Sequence, residues 1–440
     1  MASFSKKPII LQLIVFLFCG CMGKAQGPTQ YAALDPTGSI RVGRNIPINS
    51  QFKGLPLVEP SLAAHPHRAN HLLAAAMVVT DVNRPYESCR LSSFLSEDGG
   101  ETWQETAHDY WGYDPWVTIL PSGAAAMSWL GTPGAFTHRF PLQVFSSADG
   151  GKAWEPGKAQ VFNGHGHGHD GTKLAGLGDK MYLTTVRFNA DMGADVVLYG
   201  ATGQGPFTEL AAIPGGGRRL NFCEPALLSD GTVVLPTVHP GGSIRAHIYR
   251  PGSGLDSESG IISRNPKLGR GYSRMAADTG RQSPFRDRLY FVRAVAEGRG
   301  SLGVWLNYST DRGNSWSEEK RIDLFEGHPA SKANVASVAV NNRGIVGISW
   351  VDGQHSEDQR AYDVYFSISR DGGASFQRPV RVTDRSSDPR TPGNADVANK
   401  FIGGGHYLGI SARQDGSFQL LWSDSRSGIF GLQTCRIQVE

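Results

Sequence analysis

The sequence predicts an all-β fold assembled from a repeated four-stranded unit, and three observations carry that prediction. First, an octad of the form S-x-D-x-G-x-x-(W/F) occurs four times, at residues 96–103, 147–154, 309–316 and 369–376. Recurrence this strict outside a low-complexity tract marks a repeated supersecondary unit. Second, each octad has the chemistry of a hairpin turn. Glycine permits positive φ, the aspartate carboxylate accepts bonds from turn amides, and the aromatic ring inserts between neighbouring sheets. Third, 55 Gly, 9 Trp and 20 Phe among 440 residues suit many short strands joined by tight turns.

Beyond the octads, Glu59-Pro-Ser-Leu-Ala-Ala-His-Pro with His71-Leu-Leu-Ala-Ala-Ala, and Leu408-Gly-Ile through Trp422-Ser-Asp-Ser-Arg-Ser-Gly, extend the pattern over nearly all of the mature chain. Together these segments resemble the sialidase, or bacterial neuraminidase repeat, superfamily, whose corresponding turns are Asp-boxes. The resemblance implies a β-propeller of four-stranded blades, while the reactions hosted by such a fold diverge widely.

Taken in order, the chain opens with Lys6 and Lys7, an apolar run from Ile9 to Phe18, and small residues up to Ala25, the order of a bacterial secretory signal. Cleavage after Ala25 competes with lipid attachment at Cys21, which follows Gly20. The expected product, residues 26–440, is a single propeller domain, secreted, periplasmic or tethered as a cell-surface lipoprotein. No later stretch reaches the roughly 18 apolar residues of a membrane span. Seven units are placed by inner strands near Pro60, Pro115, Lys173, Pro225, Ser273, Val335 and Tyr407. Units one, two, five and six carry intact boxes. Unit three has the degenerate Gly200-Ala-Thr-Gly-Gln-Gly-Pro-Phe, and unit four the turn Pro251-Gly-Ser-Gly. Unit seven is too short for four strands, and the segment from Ile40 to Ile48 supplies the missing one, closing the ring without exposed edges. If two units share one sheet, the count falls to six.

With a formal charge of +3, from 43 basic and 40 acidic residues, nothing marks a nucleic-acid or anionic-membrane binder, and none is expected as a partner. Closure favours a monomer. Cys89, Cys223 and Cys435 lack metal-ligand spacing and read as buried free thiols.

Loops entering the inner strands converge on one face of a propeller, where ligand pockets form. Residues at these entrances are Glu59, Asp114, His169 with Asp170, Glu224, Tyr272 with Arg274, Asn334, and His406 with Tyr407. Four carboxylates beside histidines and tyrosines suit glycosidic cleavage, which needs one protonated and one ionised carboxyl. The same acids could instead cap backbone amides at blade junctions. At the exits of the second strands stand Trp129, Arg187, His239, Arg293, Trp350 and Trp422. Arg187 and Arg293 present planar forks suited to a carboxylate, or else pair with acids structurally. Trp129 and Trp350 are candidates for stacking on sugar faces, against core packing between blades. The resemblance implies a triad of Arg187, Arg293 and Arg274 or Arg218 on an acidic sugar, with Tyr272 or Tyr407, Glu224 and Asp114 as the reacting groups. Arg44-Asn-Ile-Pro stands where that family carries Arg-Ile-Pro.

Gly164-His165-Gly166-His167-Gly168-His169-Asp170 could offer alternate imidazoles and one carboxylate to a divalent metal, or form a flexible substrate-facing loop. No reading requires a cofactor. His169 and His406 would also serve a lyase on uronate glycans, where Arg neutralises the carboxylate and His or Tyr removes a proton. Residues 384–405 are polar and rich in Gly and Pro, and read as a surface loop or lid. The expectation is a carbohydrate-active enzyme, a sialidase-like hydrolase of terminal acidic sugars. A polysaccharide lyase and a non-catalytic glycan- or protein-binding propeller are the alternatives.

Overall fold

Antiparallel hairpins follow one another along the chain, and the computed structural model arranges them as the seven blades of a β-propeller. It describes residues 33–440 apart from 35–39, 49, 132–139, 156–158, 166–167, 191–192, 219, 223, 240–242, 258–259, 265–272, 298–300, 325–332, 334 and 357–359. The N-terminal apolar run with Cys21, and also His167, Cys223, Tyr272 and Asn334, therefore lie outside the described residues. In the first blade Leu57–Ala64, Leu72–Val79, Cys89–Ser96 and Gln104–Trp111 pair in sequence. The inner strands of the next three are Tyr113–Ile119, His169–Leu177, and the interrupted pair Asn221–Phe222 and Ala226–Leu227. Arg274–Ala277, Val335–Val340 and Gly409–Ala412 begin the last three.

Closure joins the two ends of the chain. Ile40–Val42 and Ile46–Ile48 both pair antiparallel with Gly431–Val439, the third strand of the seventh blade. An addition invisible in the sequence is a parallel pair between Ala33–Leu34 and Ser375–Phe376, at the outer edge of the sixth blade.

Because a second strand is covered on both faces by neighbouring blades, it reads as continuous apolar sequence rather than as alternation. Every residue of Leu72–Val79, Val346–Asp352 and Phe418–Asp424 is buried. In the boxed turns the serine hydroxyl accepts the amide of the glycine four residues on: Ser96 from Gly100 at 2.8 Å, Ser147 from Gly151 at 2.9 Å, and Ser309 from Gly313 and Ser369 from Gly373 at 2.8 Å. The aspartate then accepts the amide four residues on, at 2.9 Å in Asp98 and 2.8 Å in Asp311. Positive φ at those glycines, between 91° and 98°, explains the residue type. Trp103, Trp154, Trp316 and Phe376 each pack into the apolar layer shared with the preceding blade.

Cys89 and Cys435 are buried free thiols, and burial raises both, Cys435 to about 12. Among the described residues no helix is long and apolar enough to cross a membrane. Residues 384–405 depart from the surface-loop expectation. They contain the short helix Val397–Lys400, and Val397, Phe401, Ser387 and Asn394 are buried. Asn394 is held by accepting the amide of Phe430 at 2.8 Å and donating to Pro389 O at 3.0 Å, so a polar segment becomes interior structure.

Candidate functional site

Three successive inner strands begin with the same irregularity. Pairing with the second strand slips between Val58 and Ser61, between Tyr113 and Trp116, and between Asp170 and Lys173. A bulge inserts an unpaired residue and re-aims its side chain. Glu59 and Asp114 occupy the first two with φ of +57° and +52°, a left-handed conformation that strains a side-chain-bearing residue. In the third, Gly171 takes the left-handed position at +62°, directly after Asp170.

The carboxylates so positioned lie in one electrostatic cluster. Glu59 is 1% exposed, and its Oε2 accepts the backbone amide of His406 at 2.9 Å. Its Oε1 is 3.1 Å from His406 Nδ1. Gly405 is what makes this approach feasible, since a Cβ there would lie 2.6 Å from the Glu59 carboxyl carbon. The segment 384–405 thus delivers His406 to the site, and 42% of that side chain stays open to solvent.

Beneath the acids lies a floor of aromatic rings and cations. Trp116 meets Tyr407 edge to face, with centroids 5.4 Å apart, and its Nε1 donates to Leu174 O at 3.1 Å. Lys173 Nζ sits 4.3 Å from the Trp116 ring centre and 3.9 Å from that of Tyr407. The Arg274 guanidinium lies 4.7 Å and 5.1 Å from the same two rings. Lys173 is only 2% exposed and Arg274 only 1%. Two cations can be held this deeply because the π faces attract them and four carboxylates stand above. Glu224, at the interruption in the fourth inner strand, approaches Arg274 Nε at 3.9 Å. Below the floor, the axis of the propeller is a channel of about 290 Å³ walled by Leu62, Val117, Leu174, Met275, Val338 and Ile410.

Four groups of the cluster, Asp114, Glu224, Lys173 and His406, are displaced by this setting. Burial, then the charge of Glu59, pushes Asp114 up to about 7, with Lys173 pulling the other way. Burial raises Glu224 above the usual carboxylate range, opposed by Arg274 and Lys173. Burial and the neighbouring Arg274 lower Lys173, opposed by Asp114, Glu224 and Glu59. For His406 burial acts downward, yet the bond to Glu59 and the charges of Glu59 and Asp114 leave it above its ordinary value. Perturbed groups clustered in this way are the raw material of acid–base chemistry.

Of the residues singled out in the sequence, Glu59, Asp114, Glu224, Arg274, His406 and Tyr407 come together here, and Asp170 contributes its charge to Asp114. Others do not. Arg187 is bound to Glu209 of its own blade at 2.6 Å, and Arg293 is fully buried with Glu319 at 2.5 Å. Their forks are filled inside the third and fifth blades rather than presented at the mouth. Trp129 packs on Phe145 with centroids 4.2 Å apart, and Trp350 donates to Asp352 at 3.3 Å; both are core. His169 is buried, and burial, then Arg187, lowers it to about 4, which keeps it neutral. His165 is exposed. Among the described residues no group of three or more His, Cys, Asp or Glu is placed to hold a metal.

Two members of the site went unassigned in the sequence, Lys173 and Trp116. A lysine inside the otherwise apolar inner strand Thr172-Lys173-Leu174-Ala175 was the available signal, because an unpaired charge is not buried there without a partner.

No family model and no curated protein matches this chain. Solved structures do. A protein of unknown function from Dyadobacter fermentans is 12% identical with a TM-score of 0.53, covering 91% of this chain and 99% of its own. The endosialidase of phage phi92 is 10% identical with a TM-score of 0.51, over 90% of this chain and 69% of that one. A mutant α-L-arabinofuranosidase from Fusarium graminearum, in complex with an iminosugar inhibitor, is 13% identical with a TM-score of 0.50, over 90% and 97%. At these identities the likeness is one of fold: this chain is a seven-bladed β-propeller of four-stranded antiparallel sheets.

Proposed function

We propose that this protein is a glycoside hydrolase acting on an acidic glycan at the mouth ringed by Glu59, Asp114 and Glu224. The observation that carries the reading is the pair Asp114 and Glu224 above one cationic floor. Burial and Glu59 keep the proton on Asp114 near neutral pH; burial raises Glu224 as well, but Arg274 and Lys173 oppose that rise and favour its ionised form. Asp114 donates its proton to the glycosidic oxygen as the C–O bond breaks. Glu224 meets the positive charge developing at the anomeric carbon, as nucleophile or as base for the incoming water. Arg274 supports an acidic sugar: its two terminal nitrogens are buried without an acceptor among the described residues, a state that a substrate carboxylate would relieve. The glycosidases among the similar folds are in keeping with a glycan substrate.

The reading includes export, from the order of Lys6, Lys7, the apolar run and Ala25, which the mass of the mature N-terminus tests. Purified protein on sialosides and uronate oligosaccharides, followed by reducing-end release and by the ultraviolet absorbance of an unsaturated uronate, tests the chemistry. Release without absorbance, lost in D114N and E224Q, is the expected result. Absorbance together with release transfers the chemistry to His406 and Tyr407 as a lyase. Affinity without turnover on a bound glycan leaves a binding propeller.

A further inference from the structure

The opposite end of the axis opens into a bowl of about 1020 Å³, on the face that carries the boxed turns. Hairpins joining each inner strand to its neighbour form its wall. The side chains of Arg281, Arg286, Arg343 and Arg413 line it against the single carboxylate of Asp415. These arginines divide into two kinds. Arg413 is locked, donating to Gly99 O at 2.8 Å, Ala69 O at 2.7 Å and Gln419 Oε1 at 2.6 Å. Arg343 donates to Val439 O at 2.8 Å. Arg281 and Arg286 are exposed, and neither side chain has an ion pair or hydrogen bond among the described residues. We propose that this second mouth is a binding site for a ligand carrying two oxyanions, gripped by Arg281 and Arg286 in the field of Arg343 and Arg413.

Preorganisation separates this site from a chance surface pair. The hairpin bearing both free arginines is built around the buried Asp278, which accepts the Gly280 amide at 2.9 Å and the Ser283 hydroxyl. The Asp287 amide donates to Asp278 O at 2.7 Å, closing the loop. Asp287 itself is held at φ +65°, a strained conformation, by accepting from Ser229 N at 2.7 Å and Arg312 at 2.9 Å. Facing hairpins are cross-braced by Asn341 to Gly416 O at 2.6 Å and Asn342 to Gln414 O at 2.8 Å.

The nearby acids are already engaged. Asp278 is internal to the loop, Asp287 and Asp230 take Arg312, and Asp415 takes Arg436 at 2.7 Å and stands 3.9 Å from Arg413 Nε, leaving none for Arg281 and Arg286 among the described residues. Two guanidinium forks on a rigid rim, with the neutralising groups turned elsewhere, match sulfate or phosphate esters in geometry and charge. The concave shape and the small net charge of the whole chain favour a compact ligand over a polynucleotide.

Titration calorimetry of the full chain with pyrophosphate, a disulfated disaccharide and its desulfated form tests the assignment. One site is expected for at least one of the two anions, weakening as salt rises, and weaker by about tenfold or more in R281A/R286A. The tighter of the two anions identifies the source as sugar sulfate or phosphate. The desulfated sugar should give no heat. Neither substituted side chain has a partner among the described residues, so an unchanged melting temperature accompanies the loss. The proposal is overturned if neither anion binds, if the double variant binds as well as the parent, or if E224Q abolishes the binding, which would put the anion at the other mouth.

Discussion

The two mouths of this propeller are charged in opposite ways. At the acidic mouth, groups of both signs are driven below the surface and set against each other. Glu59 and Asp114 stand on strained bulges over Lys173 and Arg274, and Asp114, Glu224, Lys173 and His406 titrate away from their ordinary values. At the arginine mouth Arg281 and Arg286 are exposed, Arg413 is buried beside Asp415, and rigidity comes from backbone bracing. Buried, mutually dependent charges suit proton transfer, where the environment must change an acidity. Exposed, unpaired charges on a stiff rim suit binding, where desolvation cost is small and the ligand completes the charge balance.

The largest effect that would sharpen this contrast belongs to the acids. D114N and E224Q should each lower kcat/KM by about 10²- to 10⁴-fold on the cleaved glycan, the usual range for a lost acid or base. Retained turnover in either variant removes that residue from the chemistry. R281A/R286A should keep that kcat/KM while losing anion affinity, and a parallel loss of both would merge the two mouths into one functional unit.

Next in size are shifts of the pH–rate profile. With Asp114 as the proposed proton donor, activity should fall as pH rises through its raised value of about 7. Glu59 raises that value, and in E59Q the alkaline limb should move to lower pH. Lys173 lowers it, and in K173M the limb should move to higher pH. Shifts in the same direction would contradict the electrostatic account. G405A should resemble E59Q in sign but be milder, because its Cβ displaces the Glu59 carboxyl without removing the charge. A profile identical to the parent would show that Glu59 does not depend on that approach.

The smallest effects concern stability. D311A removes acceptors for the Ser315 amide and hydroxyl in a partly exposed turn, and should cost about 1 kcal/mol, read as a lower melting temperature. Asp98, Asp149, Asp311 and Asp371 are slightly desolvated, yet turn hydrogen bonds hold all four below the ordinary 3.8. Their contribution is complete above that value and lost as pH falls through the lower folded values. Acid titration of the melting temperature should therefore show a fall below about pH 4 that is shallower in D311N.

Legibility followed the range of the interactions. The boxes were readable because serine, aspartate and glycine meet within one turn, four residues apart. The entrance acids were readable as a set because repetition assigns each the same place in its blade. The fates of Arg187 and Arg293 were not, since their partners Glu209 and Glu319 come from other segments of the same blade, more than twenty residues along the chain. Nor was the interior character of residues 384–405, where Asn394 becomes buried only by meeting Phe430 and Pro389.

By itself the sequence determined the repeat, the seven inner strands, the closure by residues near Ile40, and the list of polar groups at the entrances. All of these rest on local turn chemistry and on a period that a linear chain displays. Tertiary structure decided which of those groups share a field. It slid Lys173 and Arg274 against Trp116 and Tyr407, from four different blades, and set Gly405 against Glu59. Acidity in that field depends on burial and on charges a few ångströms away, and such distances exist only once the ring is closed.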